Sequence, residues 1–337
     1  MHKLRRFLFP VAALLCAALS SLTWAAQLRQ VAIIDIPGNP GFDSIAFVNG
    51  FLVIAHTGAG AVDVFDTTKR RLVKQIKGIG TPRGISVDEQ NGKLYVGNSD
   101  AKNIAVVTLN NWTVTQTIPL QDSPSELLLV ADQKKLYVAN WRDQSVSAVD
   151  LNGSNAIKTI PLGGRPEYLA FDPERKVVFV SVQDKNQVMA VDANLQVVSR
   201  FPLAASEPTG LAIDQKGRRL FVSARHAVVI LNPDTGAEMG RVPTLPGIDM
   251  LTYDDLTRTL YGAAGGGVIV VIKGEGSSFV NRGEIQTEVK GHTLAFDPGR
   301  KLLYLPGGRE GRSKLLILLR VDLSPPEVPA AEATLRK

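Results

Sequence analysis

KKLYVANWRDQSVSAVDLNG, residues 134–153, carries the pattern that decides the fold. Its two halves, KKLYVAN and QSVSAVD, alternate apolar and polar residues with the period of two expected of strands. Between them lies a polar tip, Asn140-Trp141-Arg142-Asp143. The same unit recurs along the chain. Its cores read DSIAFVNGFLVIAH (43–56), RGISVDEQNGKLYVGN (83–98), SELLLVADQKKLYVAN (125–140) and EYLAFDPERKVVFVSV (167–182). Three more follow: TGLAIDQKGRRLFVSA (209–224), DMLTYDDLTRTLYGAA (249–264) and HTLAFDPGRKLLYLPGG (292–308). The residues just before them, Phe42, Pro82, Pro124, Pro166, Pro208, Ile248 and Gly291, recur at intervals of 40 to 43.

Each copy reads as four short strands rich in Val, Ile, Tyr and Phe and punctuated by Gly, Asn, Asp and Pro. Four strands in roughly 40 residues is the arithmetic of a propeller blade. The expected fold is all-β: a seven-bladed β-propeller of four-stranded antiparallel blades. The last copy is one strand short, and LRQVAIIDIPG (28–38) matches the strand it lacks. The N-terminal strand is therefore expected to close the ring, hiding edges that would otherwise pair with other chains. The repeat motif, LYVGN and LYVAN above all, resembles the YVTN-repeat family of seven-bladed propellers. That resemblance spans about residues 28–323 and implies a bacterial surface or periplasmic protein. It concerns the frame and implies little about function.

Composition agrees with a large globular β protein: 337 residues, 45% hydrophobic, with 30 Gly and 19 Pro for turns. Residues 1–25 read as a secretory signal, with basic Lys3, Arg5 and Arg6, an apolar stretch Leu8 to Leu22, and a small-residue exit near Ala25. The propeller is then expected over 26–323, with a disordered Pro/Ala-rich tail at 324–337. The implied location is periplasmic or secreted, with no membrane span once the signal is removed. The single cysteine, Cys16, lies in that signal, which excludes disulfides, thiol catalysis and thiolate metal sites from the mature chain. Losing the signal lowers the formal charge from +6 to +3, too mild to imply nucleic acid.

In a four-stranded meander the entry to the first strand and the loop after the second emerge at the same end. Function is expected there, where loops converge on the channel mouth. The first set of positions gives Asp43, Arg83, Ser125, Glu167, Thr209, Asp249 and His292, with Glu126 following Ser125. The second gives His56, Asn98, Asn140, Trp141, Arg142, Arg225 and His226. The candidate ligand-binding set is Asp43, His56, Arg83, Asn98, Asn140, Trp141, Arg142, Glu167, Arg225, His226, Asp249 and His292.

The favoured function is a monomeric binding module that takes a small polar ligand or a protein partner at this mouth. No catalytic residue is assigned, and no cofactor is assigned with certainty. A divalent cation is one candidate cofactor, because Asp43, His56 and His292 come from neighbouring blades. A lactonase-like hydrolase is the alternative, with Asp249, Asn98 and Asn140 as oxygen donors to a hard cation. Single-stranded nucleic acid is the second alternative, held by Arg83, Arg142, Arg225, Arg309 and Arg312 with Trp141 stacking. It is not favoured, because Asp43, Glu126, Glu167 and Asp249 share that face. The aspartates of the first hairpins, such as Asp172, Asp214 and Asp297, are expected to form turns, and Trp112 to pack on the opposite face.

Overall fold

The computed structural model describes residues 27–321. The expected leader at 1–25 and tail at 324–337 lie outside the described residues. Seven sheets of four antiparallel strands are present, and in six of them the strands lie in sequence order. Blade 3, the quoted stretch, runs Glu126–Val130, Lys135–Asn140, Ser145–Asp150 and Ile157–Pro161. Blade 7 is completed from the other end of the chain. There Gln27–Asp35 pairs antiparallel with Arg312–Val321, from Gln27↔Val321 to Asp35↔Lys314. First strands touch first strands from blade to blade all the way round, so the sheets form a ring about a channel.

The core lies between the blades. Seven apolar clusters fill the seven gaps, each built from the facing sides of adjacent sheets. The aromatic of the repeated Leu-Tyr/Phe motif is the wedge in six of them: Tyr95, Tyr137, Phe179, Phe221, Tyr261 and Tyr304 are all buried. A flat-sided residue at one register position in six of the seven second strands, with Val53 at that place in blade 1, keeps neighbouring sheets at a similar separation. That is how a 42-residue period becomes a closed ring.

The first hairpins show why the repeat ends in Asp. Asp172 Oδ1 accepts from the Glu174 amide at 3.1 Å, and Asp214 Oδ1 from the Gly217 amide at 2.8 Å. Asp172 is also held by both Nη atoms of Arg218 in the next blade, at 3.0 and 2.8 Å. These aspartates make turns and tie blades together, at the end of the strands opposite the candidate mouth. Trp112 lies in a turn of blade 2, its ring edge-on to Phe51 of blade 1 at 5.5 Å between centroids.

Candidate functional site

A cavity of about 650 Å³ occupies the channel mouth at the start of the first strands. Seven of the candidate residues line it: Asp43, Arg83, Trp141, Arg142, Glu167, Asp249 and His292. The others do not, and packing explains each. His56 ends a second strand and is fully buried. Its Nδ1 lies 2.7 Å from Asp63 Oδ2, its Nε2 lies 2.8 Å from the Asn39 carbonyl, and its ring stacks on Phe42 at 4.2 Å. Both ring nitrogens face acceptors inside blade 1, so the grouping of Asp43, His56 and His292 does not form.

Asn98 is likewise buried, with Oδ1 accepting from the Thr81 amide at 3.2 Å. Asn140 is fully buried and donates to Ser145 Oγ and Ser147 Oγ at 3.0 and 2.9 Å. Their amides serve loop geometry and do not converge with Asp249. Arg225 and His226 stand exposed on a hairpin of blade 5, away from the cavity wall, where Arg225 pairs with Glu207 at 2.7 Å. Among the described residues no group of three or more His, Asp or Glu side chains has the spacing to hold a metal ion.

Two residues that carry much of the site's character were outside the candidate set, Glu126 and Tyr168. They occupy the second inner position of blades 3 and 4. The same position in blade 2 is Gly84, where a Cβ would lie 2.5 Å from the Leu127 amide nitrogen. That bare backbone lets blade 2 approach the Glu126–Leu127 segment. The Gly84/Glu126 pairing at equivalent repeat positions was the sequence signal for it.

Electrostatically the cavity is crowded with carboxylates. Arg83 Nη1 donates to Asp43 Oδ2 at 2.7 Å, joining blades 2 and 1. His292 Nδ1 lies 2.8 Å from Asp249 Oδ2, an ion-pair separation between blades 7 and 6 that is out of line for a hydrogen bond. The Asp249 carboxylate holds the His292 imidazole above its ordinary value. Burial raises Asp43, and Arg83 offsets part of that rise.

Opposite them, Glu126 is pushed up to about 8 by burial and, secondarily, by the charges of Asp43, Asp249 and Glu167. Glu167 rises to about 7 by burial and by Asp249, although its Oε1 accepts from Trp141 Nε1 at 2.7 Å. The same burial and carboxylates drive the Tyr168 hydroxyl well above its ordinary value. The Arg165 guanidinium sits 5.0 Å over the Trp141 ring, a cation–π contact at the edge of this wall.

These shifts have a consequence for stability. Folding holds the Glu126 proton more tightly than the unfolded chain does. Its contribution is therefore complete below about 4.5, the ordinary value, and is lost as pH climbs through about 8. Glu126→Gln removes the penalty of ionising there. Glu126 faces the channel and is only half-buried. Allowing for screening, we expect the variant to melt about 3–6 °C above the parent at pH 9 and level with it at pH 4. Calorimetry at both pH values checks this, and an equal offset at both would show that packing, not charge, is responsible.

No protein-family model matches the chain, and no curated protein matches it. Solved structures do. A chain of Kuenenia stuttgartiensis hydrazine synthase superposes with a TM-score of 0.74 at 16% identity, covering 86% of this chain and 98% of that one. A chain of the mitotic checkpoint complex gives 0.76 at 13% identity, covering 95% and 100%. The likeness shows the fold. The chain is a seven-bladed β-propeller, and at these identities nothing about activity passes with the shape.

Proposed function

We propose that the protein is an exported binding module that holds a small polar molecule in the cavity at its channel mouth. The observation that carries this reading is the cavity itself: about 650 Å³, in the size range of small-molecule sites. Its wall is set by first strands locked into a closed ring, so polar groups are held in place before any ligand arrives. Trp141 supplies an aromatic wall, and Asp43, Arg83, Glu126, Glu167, Asp249 and His292 supply the polar groups.

The separation of Asn98, Asn140 and His56 from the cavity weighs against the lactonase-like reading. Against single-stranded nucleic acid stand the carboxylates of the mouth and the pairing of its arginines. Arg83 faces Asp43 at 2.7 Å, Arg225 faces Glu207 at 2.7 Å and Arg309 faces Glu288 at 2.6 Å. The N-terminal leader read from the sequence supports export to the periplasm or beyond.

A thermal-shift screen of small polar compounds sorted by charge tests the reading. A cavity ligand at about a hundred times its Kd adds about 2.7 kcal/mol, a rise of about 5–10 °C. That rise should vanish in Trp141→Ala, with the circular dichroism of the variant unchanged. If no compound gives a shift that this substitution removes, the reading fails.

A further inference from the structure

Resting on that reading, we propose that the occupant carries an organic primary ammonium group, seated between Glu126 and Glu167 beside the Trp141 indole. The argument begins with the two pairs opposite. Asp43 is answered by Arg83 at 2.7 Å and Asp249 by His292 at 2.8 Å. Among the described residues, neither Glu126 nor Glu167 has a lysine, arginine or histidine at ion-pair distance. Their hydrogen-bond donors are neutral: the Leu127 amide for Glu126 Oε1 at 3.0 Å, and the Trp141 indole for Glu167 Oε1 at 2.7 Å. Among the described residues, one oxygen of each carboxyl has no protein donor, and the two side chains line the cavity from adjacent blades.

The neighbouring chemistry narrows the occupant. An anion would meet four carboxylates, with Arg83 and His292 already engaged by two of them. A neutral molecule would leave whichever of the two glutamates is ionised without a counter-charge. A bare metal ion needs ligands converging on one point, and no three acidic or imidazole groups here do so. A primary ammonium has three donors on a small tetrahedral head, enough to bond both glutamates at once. The aromatic wall is already suited to cations, since the Arg165 guanidinium lies 5.0 Å over the Trp141 ring. Arg142 and Lys290 stand at the exposed outer part of the wall and disfavour a polycation. The ligand is therefore one ammonium head on a polar body.

Binding should also displace protons. Glu126 and Glu167 face Asp43 and Asp249 across the cavity, with Tyr168 beside Glu167 and with Arg83, His292 and Arg165 as the nearby cations. Their raised values, about 8 and about 7, mean that near neutral pH both carboxyls hold protons for part of the time. An ammonium favours the ionised form and replaces those protons.

A matched series tests the assignment: aminohexanol, hexanediol and hydroxyhexanoate, which share a chain and differ in one terminal group. Titration calorimetry with the mature protein should show aminohexanol binding about tenfold tighter at pH 8.5 than at pH 6. Near pH 7, two buffers of different ionisation enthalpy should reveal net proton release. Glu126→Gln and Glu167→Gln, near-isosteric and checked for folding by dichroism, should each weaken it by about tenfold or more. Aminohexanol binding that ignores pH and both substitutions would overturn the assignment. If hexanediol or hydroxyhexanoate shifts the melting of the wild type but not of Trp141→Ala, and aminohexanol does not, the cavity reading stands and the ammonium falls. If none of the three binds, the ammonium falls, and the cavity reading stands or falls separately on whether any other compound of the polar screen gives a shift that Trp141→Ala removes.

Discussion

A chain beginning at residue 40 should fail to accumulate as a soluble monomer. The deletion removes Gln27–Asp35, the outermost strand of blade 7, and strips the hydrogen-bond ladder from Arg312–Val321. Val31, Ala32 and Ile34 leave the cluster between blades 7 and 1 together with buried Ile36, and Leu28 and Ile33 leave the cluster between blades 6 and 7. Most of these side chains are half-buried, so each contributes less than the roughly 1.5–3 kcal/mol of a fully buried aliphatic group. Their sum, about 5–8 kcal/mol, is comparable to the whole net stability of a domain.

Two specific contacts go with them. Ser313 Oγ loses the Gly38 carbonyl at 2.9 Å, and buried His56 loses the Asn39 carbonyl at 2.8 Å. The newly bared edge is KLLILLRV, an apolar strand of the kind that pairs with other copies of itself. Expression of residues 40–337 beside 26–337, followed by size-exclusion chromatography and thermal melting, checks this. A monomeric truncated protein with an unchanged melting temperature would show that ring closure does not depend on this strand.

That strand also shows why the fold was legible. A period of 40 to 43 residues, with Leu-Tyr/Phe at a fixed place in it, encodes the inter-blade wedge directly in the sequence. The missing last strand of blade 7 and the unpaired strand pattern at 28–38 could then be matched to one another. The inner wall was also readable, because Asp43, Arg83, Glu167, Asp249 and His292 occupy the same repeat position and only one element places them.

The residues at the ends of the second strands were harder to place. His56, Asn98 and Asn140 are polar and adjoin loops, which suggests exposure. Yet each is the last residue of the most buried strand of its blade, and its side chain turns inward to bond local groups. For His56 the signal was Asp63, a charged residue in a third strand where blades 2 and 3 carry Ala105 and Ser147. In the hairpin register His56 opposes Ala61 and Asp63 opposes Ile54, which brings the two polar side chains onto one face. Glu126 is legible on the mouth beside Ser125, but its part in the cavity wall is not, because that depends on Gly84 letting the neighbouring blade come close to the Glu126–Leu127 segment.

Asp254→Ala should be the most damaging single substitution on the face opposite the cavity. Asp254 closes the first strand of blade 6 and is 4% exposed; Arg320, from blade 7, is 7% exposed. Arg320 Nη1 donates to Asp254 Oδ2 at 2.6 Å, with its guanidinium 5.1 Å over the Phe296 ring. Asp254 Oδ1 also accepts from the Leu256 amide at 3.2 Å. Truncating the aspartate takes a buried carboxylate away from a buried guanidinium between two blades, a loss of about 3–5 kcal/mol. For a chain of this size the melting temperature should drop by about 10 °C.

The test lies in the partner. Replacing Asp254 by Ala and Arg320 by Met together removes both charges, and most of the lost stability should return, because an apolar pair of similar bulk suits the same gap. Additive losses in the double variant would show that the turn, and not the buried charge, is what Asp254 supplies. Below its melting temperature Asp254→Ala should bind cavity ligands as the parent does, because Asp254 lies at the far end of the strand that carries Asp249. The two ends of one strand then carry different pairs: Asp249 faces His292 at the open channel mouth, where both side chains remain partly exposed, and Asp254 faces Arg320 in a closed gap between blades, where loss of either charge costs stability.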